Sequence, residues 1–283
     1  MKRRIPVYAE RGVRQVKKVA AINDLSGFGR CSLTVAIPII SSFGLQCIPL
    51  PTAILSNHTA YDSYFFDDYT DKMEEYYKQW ERLRLKFDCI YTGFLGSEKQ
   101  IDIVFDFIKK FGEGALLLVD PVMGDDGRIY ATYTPEMCDK MKKLAAEADI
   151  VTPNVTEACL LAGEEYRESF TEEDIGRIAH KIYKLGAKKV IITGIHGETE
   201  VGNYVYGKEK TLIRTNSLPY RYCGTGDLFS SLLCGYAVCG EEIAAAVKKS
   251  ADFVHDALRI THDNGGDPKD GVEFEALLAE RKW

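Results

Sequence analysis

The stretch Cys223-Gly224-Thr225-Gly226-Asp227-Leu228-Phe229-Ser230-Ser231 brings two glycines and a carboxylate to the start of an apolar run at helical spacing (Leu228, Phe229, Leu232, Leu233). A tight glycine turn feeding a helix directs unpaired backbone N–H groups to one point, and the helix dipole behind them favours an anion. Asp227 sits beside that cup. A carboxylate next to a phosphate is costly unless it has work, and taking the proton of an attacking hydroxyl is suitable work. The same residues also fit an ordinary glycine turn with Asp227 as a helix-start residue. Asn154 and Glu157 pose a similar choice. Three apart at a helix start, they could join Asp120 or Asp125 as hard oxygen ligands for Mg²⁺ through water, or form a capping box.

These residues need a frame that gathers them. Lys18–Asn23, Leu45–Leu50, Cys89–Tyr91, Ala115–Val119, Asp149–Val151 and Lys189–Thr193 read as short apolar strands. Helical patterns between them run over Leu33–Phe43, to about Leu85, and over Gln100–Phe111, Pro135–Glu147 and Thr171–Leu185. Thr52–Thr59 reads as a polar loop, and Glu200–Tyr206 with Thr211–Arg214 as a hairpin. Helices over Asp227–Val238, Glu241–Ile260 and Glu273–Arg281 close the chain. Alternation of this kind predicts one α/β domain with a mainly parallel sheet covered on both faces. Functional residues then belong at the carboxyl ends of strands. Asp24, Thr59, Gly93, Asp120, Asn154 with Glu157, and Thr193 all fall there.

Composition narrows the class. The 283 residues carry 46% hydrophobic and 28% charged side chains, as in a soluble globular protein. A net charge of −6 argues against nucleic acid as the main partner. No apolar run is long enough to span a bilayer. Residues 1–17 are basic without an apolar core, so they read as a solvated extension rather than a secretory signal, before a domain over 18–283. The eight cysteines lack metal spacing and read as reduced thiols of a cytoplasmic protein. Cys223 alone adjoins the glycine turn, either as a reactive thiol or as a passive neighbour. Gly27-x-Gly29 lacks the third glycine and the distant acid of a dinucleotide fingerprint. There is no P-loop and no protein-kinase motif set.

The chain resembles the ribokinase-like small-molecule kinases, and within them the pyridoxal/pyridoxamine (vitamin B6) kinases. Ser56-Asn57-His58-Thr59, Asp120-Pro121-Val122-Met123-Gly124-Asp125, Thr152-Pro153-Asn154-x-x-Glu157 and Gly224-Thr225-Gly226-Asp227 carry the resemblance, in order, over roughly residues 18–260. It implies a three-layer α/β/α fold and ATP-dependent phosphorylation of the 5′-hydroxyl of a B6 vitamer in pyridoxal 5′-phosphate salvage. Asp227 is then the base, with Gly224, Thr225 and Gly226 as the anion hole. Asp120, Asn154 and Glu157 organise Mg²⁺, through water, and the ATP phosphates; Thr152 and Thr193 lie along the nucleotide. Thr59 lies near the pyridine ring, and Tyr130 helps shield the site. The resemblance also implies a homodimer and leaves room for a monovalent cation.

Two residues depart from the family pattern. Asp24 stands where serine is common, and its charge would favour a cationic amine or pyridinium. Phe94 stands where a ring-side tyrosine is common. The segment Asp24–Gly29 also resembles hydroxymethylpyrimidine kinases of thiamin synthesis, but those end the anion motif in Gly-Thr-Gly-Cys and lack Ser-Asn-His-Thr. A catalytically silent B6-binding protein is the competing non-enzyme reading. Gly207, Lys208, Lys210 and Arg214, between Tyr206 and Tyr222, fit either a lid over ATP or a solvated hairpin tip. His58 reads as a hydrogen-bonded loop residue and His196 as a candidate nucleotide contact.

Overall fold

Strands such as Leu116–Val119 have no polar face, so helices must cover the sheet on both sides. The computed structural model describes residues 15–280 and has that arrangement. In chain order the elements are β1 (Lys18–Phe28), α1 (Ser32–Ser42), β2 (Gln46–Asn57), β3 (Phe66–Asp68), α2 (Thr70–Arg82), β4 (Cys89–Thr92), α3 (Glu98–Phe111) and β5 (Leu116–Val119). The hairpin β6 (Gly124–Asp125) and β7 (Arg128–Ile129) follows, then α4 (Pro135–Glu147), β8 (Ile150–Val151), α5 (Val155–Ala162), α6 (Glu172–Leu185) and β9 (Val190–His196). The chain continues with β10 (Glu200–Tyr206), β11 (Lys210–Asn216), α7 (Thr225–Cys239), α8 (Ile243–Asp263) and α9 (Glu275–Glu280).

The main sheet has nine strands in the order β11-β10-β9-β8-β5-β4-β1-β2-β3. Pairing from β9 across to β2 is parallel, while β3 at one edge and β10 with β11 at the other are antiparallel. Side chains alternate between two apolar cores, as the two-residue strand period requires. Ala20, Ile22, Ile90 and Val119 face Met73, Phe107, Met141 and Ile178 of α2, α3, α4 and α6. Val19, Ala21, Tyr91 and Leu118 face Leu33, Leu228 and Val247 of α1, α7 and α8. The result is three layers, α/β/α.

From β1 the chain goes to β2 on one side and later returns to β4 on the other. This is a topological switch point, where the carboxyl ends of neighbouring strands open a crevice. α7 packs against both α1 and β4, which brings its N-terminus over that crevice.

Several elements run further than the sequence suggests, three strands of the sheet among them. β1 continues past Asn23 to Phe28, with a register irregularity between Asn23 and Leu25. β2 passes through Pro49 and Pro51 to Asn57, so Thr52–Asn57, expected as loop, is strand. There β2 is nearly an edge strand, since β3 pairs only with Ala53, Ile54 and Leu55, and prolines are tolerated at such edges. β9 carries on through Gly194 to His196. Most of the expected N-terminal extension, residues 1–14, lies outside the described residues, as does Arg281 of the expected last helix. Lys17 is not simply solvated: its Nζ donates to Val238 O at 2.5 Å. Among the described residues no helix is long and apolar enough to cross a membrane.

Candidate active site

α7 begins at the glycine turn. Gly224 is its N-cap, with φ 79°, and no side chain caps this end. First-turn amides therefore remain available to an anion. Position 224 must be glycine for two reasons: its φ is left-handed, and a Cβ would lie 1.9 Å from Arg30 O. Gly226 differs. It has ordinary helical backbone and open space where a Cβ would project, so its missing side chain leaves room above the turn.

Asp227 lies in the first turn of α7 and accepts from Asn23 Nδ2 at 3.2 Å. Burial raises its pKa to about 6, with the Asp24 charge adding to the rise; the Ser32 backbone amide and Asn23 oppose it. Asp24 is not free to reach outward. Ser26 Oγ donates to its Oδ2 at 2.8 Å and Ser32 Oγ to its Oδ1 at 2.5 Å. Burial raises the Asp24 pKa as well, against these hydroxyls.

Behind the turn, Ser230 Oγ donates to Asp120 Oδ2 at 2.9 Å and stands 3.2 Å from Thr152 Oγ1. Burial, then the Asp227 charge, pushes Asp120 up. Asn154 and Glu157 form the capping box of α5: Asn154 Oδ1 accepts from Glu157 N, and Glu157 Oε2 accepts from Asn154 N, each at 2.9 Å. Glu157 Oε1 also accepts from Met123 N at 3.1 Å, and Asn154 Nδ2 donates to Gly124 O at 2.8 Å. The pair thereby clamps the Asp120–Asp125 loop to α5. Burial and then Asp120 raise the Glu157 pKa strongly. No group of three or more His, Cys, Asp or Glu among the described residues is arranged to hold a metal by itself. The site nonetheless concentrates carboxylates that repel one another, and a cation carried in with the phosphates would relieve that repulsion.

The remaining predicted residues come from several elements along the sheet. Phe94 follows β4, with its N–H donating to Asn23 Oδ1 at 2.8 Å and its carbonyl accepting from Thr52 Oγ1 at 3.0 Å. Thr59 is exposed in the turn after β2. His58 Nε2 lies 2.6 Å from Lys269 O, so it is a hydrogen-bonded loop residue. Thr193 bridges to Asn154 at the end of the parallel sheet. Asp125 lies on the β6–β7 hairpin, whose turn residue Asp126 pairs with Arg221 at 2.7 Å. His196 lines a cavity with Phe170, Glu200 and Arg214, on the β9–β10 side of the sheet. Tyr130 is 41% exposed and feels the charges of Glu157, Asp125, Asp120 and Asp227, which with burial raise its pKa.

Two open choices are narrowed. Burial pushes the Cys223 thiol up, with Asp267 adding to the rise, which is the opposite of an activated thiolate. Of the basic residues that fitted either a lid or a hairpin tip, Lys210 and Arg214 are held in the sheet edge, and Lys208 lies in the turn between β10 and β11. Arg214 pairs with Glu172 and Glu200, and Lys210 Nζ lies 4.8 Å from the Tyr206 ring centre. Sequence reasoning missed Asn23, Ser32 and Ser230. Ser230 had a usable signal, since it follows Asp227 by three positions on one helix face; Asn23, inside an apolar strand, had none beyond its polarity.

The phosphomethylpyrimidine kinase family model matches residues 51–270. A Bacteroides thetaiotaomicron VPI-5482 protein, assigned provisionally to the phosphomethylpyrimidine kinases, is 40% identical, with 95% of each chain covered and a TM-score of 0.91. A second crystal form of it, which contains pyridoxal, superposes with a TM-score of 0.89 over 94% of this chain and 95% of that one. Pyridoxal kinase from Lactobacillus plantarum is 26% identical, covering 94% and 96% of the two chains, with a TM-score of 0.87. The pyridoxine/pyridoxal/pyridoxamine kinase of Bordetella avium (strain 197N) is 27% identical over 86% of this chain and 85% of its own. The glycine turn, its aspartate and the sheet that presents them thus sit in a chain that belongs to the phosphomethylpyrimidine kinase family, within the ribokinase-like kinases.

Proposed function

We propose that this protein transfers the γ-phosphoryl group of ATP to the 5′-hydroxyl of a B6 vitamer (pyridoxal, pyridoxamine or pyridoxine). The observation that carries the reading is Asp227 in the first turn of α7, three residues after its N-cap Gly224 and hydrogen-bonded to Asn23 of β1 at the switch point. The vitamer oxygen bonds to the γ-phosphorus as the bond to the bridging oxygen breaks, ADP leaves, and the hydroxyl proton passes to Asp227. A carboxylate with a pKa of about 6 is ionised at neutral pH and accepts that proton better than an ordinary one. Backbone amides of Gly224, Thr225 and Gly226 hold the charge of the transferred group. Bound Mg²⁺ would neutralise the phosphates. Asp120 is the residue to hold it, through water, with Asn154 and Glu157 acting by fixing the loop that carries Asp120. Thr152 and Thr193 line the nucleotide side and Thr59 and Phe94 the ring side, with Asp24 held behind them by Ser26 and Ser32. The reading extends to a cytoplasmic homodimer without a nucleic-acid partner, in line with the net charge of −6, and allows a monovalent cation beside the nucleotide.

A second reading takes hydroxymethylpyrimidine as the substrate, a pyrimidine related to the phosphomethylpyrimidine of the family description. Against it stand Asp227 where those enzymes carry cysteine, the Ser56–Thr59 segment, and the relatives named for B6 vitamers. A panel of pyridoxal, pyridoxine, pyridoxamine and hydroxymethylpyrimidine with ATP and varied Mg²⁺ decides between them. We expect the best B6 vitamer to exceed hydroxymethylpyrimidine in kcat/KM by more than about tenfold. The reverse order would overturn the reading, and no ATP consumption with any of the four would point to a silent binding protein.

A further inference from the structure

We infer that Asn23 is a positioning residue of the phosphoryl-transfer site, fixing the Asp227 carboxylate to the backbone that carries the ring-side residues. The inference rests on Asp227 being the base. Asn23 is 1% exposed, in the part of β1 that borders the switch point. Its Oδ1 accepts from Asp24 N at 2.9 Å and from Phe94 N at 2.8 Å. Those two donors settle which way the amide points, because the flipped form would set an NH₂ group against two N–H groups. Nδ2 is thereby aimed at Asp227 Oδ1, 3.2 Å away. One amide thus joins β1, the segment just past β4 and the first turn of α7.

Two local features serve this side chain. The β1–β2 register shifts between Asn23 and Leu25, and such irregularities re-aim side chains beside functional sites. Position 93 carries no side chain, and a Cβ there would lie 2.3 Å from Asn23 Nδ2 and 2.6 Å from its Cγ. The other titratable groups that act on or feel Asp227 are acidic or neutral: Asp24 on β1, Cys31 before α1, Tyr91 on β4, Asp120 after β5 and Tyr130 after β7. Asn23 and the Ser32 backbone amide are the donors that oppose this crowding. With Oδ1 held by Asn23, the carboxylate keeps one orientation at the first turn of α7.

The test separates holding the fold from holding the base. Asn23→Asp keeps an oxygen for both backbone donors but removes the donor to Asp227 at pH 8; Asn23→Ala removes the donor without adding charge. Both should fold, lose about 10–10²-fold in kcat for pyridoxal, and keep KM for ATP within about twofold. Gly93→Ala, which displaces the Asn23 side chain, should lose kcat in the same way and stands in if either variant fails to fold. Wild-type kcat in these variants, or a loss confined to KM, overturns the inference provided Asp227→Asn is inactive. If Asp227→Asn itself keeps its turnover, the base assignment fails instead.

Discussion

Ser32 donates its hydroxyl to Asp24 Oδ1 at 2.5 Å while standing at the first position of α1 with φ 51°. A left-handed serine there is costly, and the bond to a buried carboxylate offsets that cost. Its backbone amide in turn opposes the rise in the Asp227 pKa that burial causes. In the proposed reading Asp24 acts on Asp227 through Ser32, with both of its oxygens taken by Ser26 and Ser32, rather than by direct contact with a cationic vitamer.

Replacing Asp24 should show which role dominates. Asp24→Ser removes the acceptor for two buried hydroxyls and should cost about 2–4 kcal/mol in stability. Its kcat/KM should fall alike for pyridoxal, pyridoxine and pyridoxamine. A loss selective for pyridoxamine would restore direct charge recognition.

The two glycines of the turn should fail differently. Gly224→Ala meets Arg30 O and a left-handed φ, so it should fold poorly. Gly226→Ala has space for its methyl and a helical backbone, so its thermal stability should match or exceed wild type by up to about 1 kcal/mol. Its kcat should nonetheless drop, because the methyl enters the space for the phosphoryl group. Parallel melting curves and turnover measurements check both halves.

At α5, Glu157→Ala strips the buried amide of Met123 and the half-buried amide of Asn154 of their acceptor. It should destabilise the chain by about 2–4 kcal/mol. Asn154→Ala should cost about 1 kcal/mol, as for a lost N-cap. Both should raise KM for Mg-ATP, since the Asp120–Asp125 loop loses its clamp. Unchanged stability in Glu157→Ala would refute the structural role.

The buried carboxylates also set a pH dependence. Asp227 has a folded pKa raised to about 6, so folding holds its proton more tightly than the unfolded chain does. Its ionisation therefore costs stability as pH rises from about 4 through about 6. Asp227→Asn escapes this cost. Relative to wild type, the nucleotide-free variant should gain about 2–3 kcal/mol between pH 4 and pH 8, a few degrees in Tm. A difference independent of pH would contradict the raised pKa.

The sheet and most helices were legible because apolar runs and helical periodicity survive in sequence; α4, Pro135–Glu147, matches its expected span. β2 was cut short because Pro49 and Pro51 look like strand breakers, and only tertiary placement at a sheet edge makes them harmless. Asn154 and Glu157 were visible as a pair but ambiguous, because capping and ligation want the same spacing. Asn23 was invisible as a site residue: its partners Phe94 and Asp227 are distant in sequence, and only the switch point brings them together.

The central claim is that Asp227 takes the proton of a B6 5′-hydroxyl during phosphoryl transfer from ATP. Formation of pyridoxal 5′-phosphate from pyridoxal and Mg-ATP, measured for wild type and Asp227→Asn at equal folded concentration, tests it most directly. We predict product with wild type and a kcat lower by about 10²–10⁴ in the variant. Near wild-type turnover by Asp227→Asn, or no pyridoxal 5′-phosphate from wild type, would contradict it.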